Sequence, residues 1–140
     1  VFYCKNTGDE DIFISAIGYL LGNSTGGTGD VHLTVLRNPT AGTIVTNAVA
    51  APVEVNKNFG SSKSLAADTY KGVEGDTFTD GEVAYRSLLS GAARTYVINT
   101  GNIVLTRGTS IGIKITPQTS NTAMDVQLFL SVLSSENIDS

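Results

Sequence analysis

The feature that most restricts the fold of this chain is a series of brief segments in which every second residue is apolar. Valine and leucine alternate with polar residues at 31–35, and isoleucine alternates with glycine and lysine at 111–115. A period of two is typical of a strand that buries one face. No segment holds the 3.6-residue period of a helix over three turns. The sequence therefore predicts an all-β protein.

Turn residues separate these segments at short intervals. Fifteen glycines and many Thr, Ser and Asn residues interrupt the apolar runs, and such spacing favours an antiparallel arrangement over a parallel sheet with crossover helices. We expect a β-sandwich, jelly-roll-like, with eight or nine strands. Shorter strands are predicted at 43–49 and 53–56, and 70–82 is predicted to be irregular and acidic.

Two connections in the second half of the chain carry turn signals. Ser90-Gly91 lies between the predicted strands 83–89 and 94–99 and indicates a hairpin. The run from Asn99 to Asn102 predicts a second turn, which leads into a strand at 103–106.

The length of 140 residues suits a single domain with a real core. We expect that domain to span residues 1–133, followed by a polar tail at 134–140. The sequence opens at Val1 inside a predicted strand, so we also expect the natural chain to begin earlier.

The charge balance bears on partners. Nine Lys and Arg residues face thirteen acids, a formal net charge of −4, and no basic stripe suited to phosphates is present. The apolar run 12–21 has the length of a strand and falls short of a membrane span. We therefore expect neither nucleic acid nor membrane as a partner.

Catalytic residue types are scarce. Cys4 is the only cysteine and His32 the only histidine. Cys4 lies in an apolar first strand, which favours a buried structural thiol over a nucleophile. His32 is expected to be an exposed or hydrogen-bonded strand residue. The sequence predicts no enzyme, no cofactor and no intrachain disulfide.

Four acids near the middle of the chain are candidate ligands for a hard cation such as calcium. Carboxylate oxygens suit that ion, but the spacing does not match the EF-hand loop. A solvated acidic loop is the favoured interpretation, and no metal site is assigned. The four residues are Glu74, Asp76, Asp80 and Glu82.

Aromatic residues in the same region are candidate contacts for a partner. Phe78 stands inside the acidic loop, and an aromatic ring on a polar loop often anchors to another molecule. Tyr70 and Tyr85 flank it. The residues predicted to bind a partner are therefore Tyr70, Phe78 and Tyr85.

The second strand carries apolar residues on both predicted faces. Strict alternation places Ile12, Ile14 and Ala16 on one side, with Phe13, Ile17 and Tyr19 on the other. A sandwich buries only one face of each sheet, so two apolar faces indicate a further contact between subunits. We expect a homo-oligomer, with a trimer as the favoured state.

Several stretches of loop and strand share a texture with one class of proteins. They are residues 6–8 (NTG), 37–43 (RNPTAGT), 58–63 (NFGSSK), 70–75 (YKGVEG) and 108–114 (GTSIGIK). These stretches resemble virion structural proteins of tailed bacteriophages, in which small β-sandwich domains serve as capsid decoration (cement) proteins or as heads of fibres.

That resemblance implies a homotrimer at the virion surface, in contact with the major capsid protein or another virion protein. The expected function is capsid stabilisation by contacts across neighbouring subunits. The alternative is a fibre-head or lectin-like domain that binds host surface glycan. A hydrolase is a third hypothesis, but the sequence contains no credible catalytic centre for it.

Overall fold

The computed structural model describes residues 1–21, 31–46, 60, 65–72, 76–89, 94–117 and 126–133. Within these ranges the regular structure is β-strand with one 3-10 turn at Thr43–Thr46, which confirms the all-β prediction. The total number of strands stays a prediction. The strands are β1 (Phe2–Asn6), β2 (Ile12–Leu21), β3 (Val31–Arg37), β4 (Ala67–Lys71), β5 (Glu82–Leu89), β6 (Arg94–Leu105), β7 (Ser110–Pro117) and β8 (Val126–Leu133).

The strands form two antiparallel sheets. The five-stranded sheet has the order β4-β1-β7-β3-β5, and the three-stranded sheet has the order β6-β2-β8. Strands β4 and β5 are therefore the two edges of the larger sheet. The side chains that face the core define the inner face of each sheet, and the opposite side is the outer face.

Alternating residues of both sheets supply one core. Val31, Leu33 and Val35 are buried while His32 is exposed, as the period of two predicts. Burial of each such side chain stabilises the fold by roughly 1.5–3 kcal/mol. The cluster also takes in residues of β2 and β6, so it joins the two sheets. Its other members are Cys4, Ile12, Ile14, Ile17, Tyr19, Leu65, Leu105, Ile111 and Ile113.

A β-bulge in β2 corrects the prediction of two apolar faces. Between Ile14 and Ala16 the pairing advances two residues in β2 but only one in β8, which leaves Ser15 as an extra residue. An extra residue inverts the alternation beyond it. Ile17 and Tyr19 therefore join Ile14 in the core, and the prediction that they lie on the face opposite Ile14 is wrong.

Both predicted connections in the second half are also corrected. Strand β6 runs without a break from Arg94 to Leu105, and residues 100–102 form an irregularity opposite the bulge of β2. The predicted hairpin is wrong as well, because β5 and β6 belong to different sheets. Turn residues mark a reversal of the chain and do not determine which strands pair. Residues 90–93 lie outside the described residues.

Two further segments differ from the sequence prediction. The strand predicted from residue 43 begins instead as the 3-10 turn Thr43–Thr46, whose Ile44 is fully buried. Strand β4 pairs with β1 over its whole length, and its last two residues fall in the region 70–82 that is predicted to be irregular. Its alternation is hidden by Asp68 and Lys71. The strand predicted at 53–56 lies outside the described residues.

Candidate interaction surfaces

One row of residues crosses the outer face of the five-stranded sheet from edge to edge. The strand registers place Tyr70 beside Tyr3, Tyr3 beside Gly112, Gly112 beside Leu36, and Leu36 beside Val83. Each of the five strands contributes one member. The row therefore samples the outer face from β4 to β5.

Two stacked tyrosine rings cover the outer face at the β4 end of this row. The rings of Tyr3 and Tyr70 stack with centroids 5.8 Å apart and planes inclined by 5°. Tyr3 is only 4% exposed although it points away from the core. Burial raises the pKa of Tyr3, and a hydrogen bond with the Ser110 side chain partly opposes that effect. The ring of Tyr70, a predicted partner contact, is thus engaged within the chain.

The centre of the row is covered by the segment 76–81, which we call the strap. A Cβ atom added at Gly112 would lie 2.7 Å from Cζ of Phe78 and 3.0 Å from Cγ of Pro39. The absence of a side chain at Gly112 therefore lets the Phe78 ring rest on the sheet. Phe78 is half-buried there. Its predicted contact with a partner stays a prediction.

Hydrogen bonds hold the strap against residues 40–43. The Asp80 carboxylate accepts bonds from the Thr40 backbone N–H at 2.6 Å, the Ala41 N–H at 2.8 Å and the Thr40 hydroxyl. Further along, the Thr77 N–H donates to Oγ1 of Thr43 at 2.8 Å. The bonds from Thr40 and Ala41 lower the pKa of Asp80, and the bond from the Thr40 side chain has the largest effect. Asp80 thus has a structural role at the base of the strap.

Two glycines make this close approach possible. Gly42 has a φ of 115° and Gly81 a φ of 103°, a region that favours glycine. A Cβ atom at Gly42 would overlap the Thr77 carbonyl oxygen.

The other end of the row is open. Strand β5 pairs with β3 and contributes no residue to the core cluster that the structure describes. Val83 is 46%, Tyr85 40% and Leu88 60% exposed. Tyr85 is in register with the fully buried Val35, so its side chain lies on the inner face of the sheet. It is nevertheless exposed, because the core does not cover it. Of the three predicted aromatic contacts, Tyr85 is the most exposed.

Two cations lie on the open part of the outer face. Arg86 and Lys114 are both in register with Thr34, from the two sides of β3. His32, two residues along β3, lies between Leu88 and Thr116 and is exposed. We call Arg86, Lys114 and His32 the basic face. The sequence analysis missed it because only the register brings Arg86 and Lys114 to the same residue of β3.

The three-stranded sheet also presents apolar side chains to solvent. Phe13 and Val104 are neighbours in register on its outer face, and both are exposed. Val97 is exposed further along β6. Phe13 is thus the residue of β2 for which the predicted outward position is confirmed.

A cleft of about 300 Å³ opens between the two sheets near Ala84, which is an extra residue in the pairing of β5 with β3. Its walls are mainly apolar and come from β3, β5, β6 and β7. Among the lining residues are Val35, Ala84, Ile103, Leu105 and Ile111.

The four acids predicted as weak calcium candidates do not converge among the described residues. Asp80 binds residues 40 and 41, and the Glu82 carboxylate lies 3.7 Å from Arg37. Asp76 is half-buried at the start of the strap. No group of three His, Cys, Asp or Glu residues suited to a metal ion occurs in the described part of the chain. Glu74 lies outside it.

The remaining candidate is Cys4. Its side chain is buried in the core, which confirms the sequence interpretation.

Among the residues that the structure describes, no helix has the length and apolarity needed to cross a membrane.

Comparison with known proteins adds no relative. No protein-family model matches the chain, and no match was found among curated proteins or solved structures.

Proposed function

We propose that this protein is a structural virion protein with a jelly-roll-like β-sandwich, which decorates a phage capsid and stabilises it by contacts across neighbouring subunits. The observation that carries the proposal is the open strand β5. Its Val83, Tyr85 and Leu88 side chains are exposed at one end of a sheet whose other end carries stacked tyrosines on its outer face. The proposal assigns no catalytic step.

Exposed apolar side chains on a free edge favour association. Burial of apolar surface contributes roughly 25 cal/mol per Å², and an edge strand offers unpaired backbone groups to another chain. The exposed Phe13, Val97 and Val104 supply a second apolar area on the other sheet. A subunit with two such areas can contact more than one neighbour.

The location on a phage particle is supported by the resemblance of five sequence segments to tailed-phage virion proteins. Segment 37–43 includes the residues that bind the strap, and segment 108–114 includes the first half of β7. In this proposal the protein is a homotrimer at the virion surface, and its partner is the major capsid protein or another virion protein.

Recognition of a host surface glycan is the second candidate. The exposure of Tyr85 favours it, because a free aromatic face can stack on a sugar ring. Tyr70 and Phe78 support it less, since their rings already pack within the chain.

The test is the composition of the phage particle that encodes this chain. Purified virions should contain the chain in a fixed ratio to the major capsid protein, as judged by quantitative mass spectrometry. A phage carrying Leu88→Asp should lose the chain from its particles, whereas Thr116→Ala, an exposed change on the same outer face, should retain it. Absence of the wild-type chain from purified virions would overturn the proposal.

A glycan array with the purified chain separates the two candidates. Binding that is abolished by Tyr85→Ala and unaffected by Thr116→Ala would favour the fibre-head function over capsid decoration.

A further inference from the structure

We propose that the basic face of one copy binds the turn Asp9–Asp11 of a second copy, so that identical chains associate head to tail. We call Asp9–Asp11 the acidic turn. This inference rests on the proposed function, because it names the contact through which the decorating subunits join one another.

The basic face lacks a local counter-charge among the described residues. Arg37 pairs with Glu82 and Arg107 pairs with Asp9. Arg86 and Lys114 form neither of these ion pairs, and the residue between them is the neutral Thr34. At a strand spacing of about 4.8 Å, their Cα atoms lie roughly 10 Å apart, a span that two acidic side chains of one turn can bridge.

The acidic turn is held in a fixed shape by a buried side chain. Asn6, which is fully buried, donates from Nδ2 to the carbonyl oxygens of Glu10 and Leu105, each at 2.8 Å. Its Oδ1 accepts a bond from the Gly8 N–H at 2.9 Å. A turn that is already ordered loses little conformational entropy when it binds.

The charge of the acidic turn is only partly neutralised. Arg107 lies 2.5 Å from the Asp9 carboxylate. Glu10 and Asp11 are exposed and form no ion pair among the described residues. Two carboxylates therefore remain to meet Arg86 and Lys114, which gives equal and opposite charges on the two surfaces.

The two surfaces are too far apart to meet within one chain. The acidic turn follows β1, whose Lys5 pairs with Ser110 at the start of β7. Lys114 lies four residues further along β7, about 13 Å at 3.3 Å per residue, and Thr116, opposite His32, lies about 20 Å away. A contact between different patches is heterologous, and it closes into a ring when the rotation between copies permits. A ring of three agrees with the expected trimer.

An apolar residue adjoins the charges. Leu88, 60% exposed, lies two residues from Arg86 along the edge strand β5 and is in register with His32. Exposed ion pairs alone contribute little, so burial of Leu88 supplies affinity while the charges fix the orientation.

The test is sedimentation of the purified chain at micromolar concentration. The wild-type chain should form oligomers that weaken when salt rises from 0.1 to 1 M, where the screening length falls from about 10 Å to about 3 Å. Arg86→Glu with Lys114→Glu should weaken self-association about tenfold or more. The control pair Arg37→Glu with Lys71→Glu makes the same change in net charge outside the basic face and should leave the oligomer intact.

A charge exchange tests the pairing itself. Glu10→Lys with Asp11→Lys should weaken self-association to a similar extent. An equimolar mixture of this variant with the Arg86→Glu, Lys114→Glu variant should associate again, because every contact between unlike variants joins opposite charges. Two variants cannot alternate around a ring of three, so the expected products are mixed dimers and open oligomers instead of the closed wild-type ring. Circular dichroism checks the fold of each variant, and Arg86→Glu alone, at an exposed position, is the fallback should Lys114→Glu unfold the chain.

Two outcomes would overturn the inference: a monomeric wild-type chain, or an oligomer that neither pair of reversals weakens. Failure of the mixture to reassociate would exclude the acidic turn as the partner. A monomeric chain that is nevertheless found in purified virions would leave the proposed function standing. An oligomer that depends on these charges but is absent from virions would support the inference about self-association and overturn the proposed function.

Discussion

The outer face of the five-stranded sheet has two halves that differ in what covers them. Over β4, β1 and the Gly112 position of β7 the chain supplies its own cover, and Tyr3 is as buried as a core residue. Over β3 and β5 the same face bears Val83, Arg86 and Leu88 in contact with solvent. One sheet therefore combines a self-contained half with a half that is free to bind.

The difference comes from local sequence. Gly112 leaves space on β7, and the strap places Phe78 in it. Two residues further along β7, Lys114 is in register with Thr34 and, across β3, with Arg86, and these polar side chains suit contact with water or a charged partner. The comparison predicts that changes in the covered half act on the stability of the chain, whereas changes in the open half act on association.

The largest expected effect is that of Phe78→Ala. Removal of a half-buried ring should lower the free energy of unfolding by about 2 kcal/mol, somewhat less than for a fully buried phenylalanine. Urea denaturation followed by circular dichroism measures the loss. Val83→Ala, in the same row but exposed, is the matched control and should cost about 0.5 kcal/mol or less. Equal losses at the two positions would remove the distinction between the halves.

A somewhat smaller effect is expected for Gly112→Ala. The added methyl group would press on Phe78 and Pro39, and such overpacking costs about 1–2 kcal/mol. The cost should fall in the Phe78→Ala background, because of these two neighbours only Pro39 then remains close to the added methyl group. A double-mutant cycle measures this coupling. Additive losses would contradict the proposed contact between ring and glycine.

The sequence predicts the inner faces well because each depends on local alternation. Val31, Leu33 and Val35 lie in the core as expected, and so do Ile111 and Ile113. The alternation fails where a single extra residue, Ser15, inverts it. A bulge has no reliable local signal, since serine is ordinary in a strand. The energetic preference that selects it is the burial of Ile17 and Tyr19 together.

The open half was less accessible to prediction from sequence. Tyr85 was expected as a partner contact, and the structure leaves it exposed. Arg86 and Lys114 are 28 positions apart, and they share a face only because both pair with Thr34. Strand order and register are long-range properties that the pattern of a single chain does not encode locally. The same reason explains why the sequence does not show that the rings of Tyr70 and Phe78 pack within the chain.

A smaller effect on stability is expected at the base of the strap, from Asp80→Asn. The hydrogen bonds from Thr40 and Ala41 lower the pKa of Asp80 below its ordinary value of 3.8. A lowered pKa in the folded state means that the carboxylate stabilises the fold above 3.8 and loses that contribution as pH falls through the lowered value. Wild type should thus be the more stable form at neutral pH.

The pH dependence provides the check. Urea midpoints of wild type and Asp80→Asn should differ at pH 7 and converge in acid, where the wild-type carboxyl is protonated. Asp68→Asn, at an exposed position of β4, is the control and should show a smaller difference at pH 7. A constant gap between wild type and Asp80→Asn at every pH would mean that Asp80 acts through shape and not through its charge.

The smallest effect on stability belongs to the open half, at Leu88. Leu88→Ser should change the free energy of unfolding by less than about 0.5 kcal/mol, because the side chain is already mostly in water. The same substitution should weaken self-association, since it removes apolar area next to Arg86. Denaturation and sedimentation of one variant therefore test both sides of the comparison. A large loss of stability would show that β5 belongs to the self-contained part of the fold, whereas unchanged sedimentation would move the interface away from this edge.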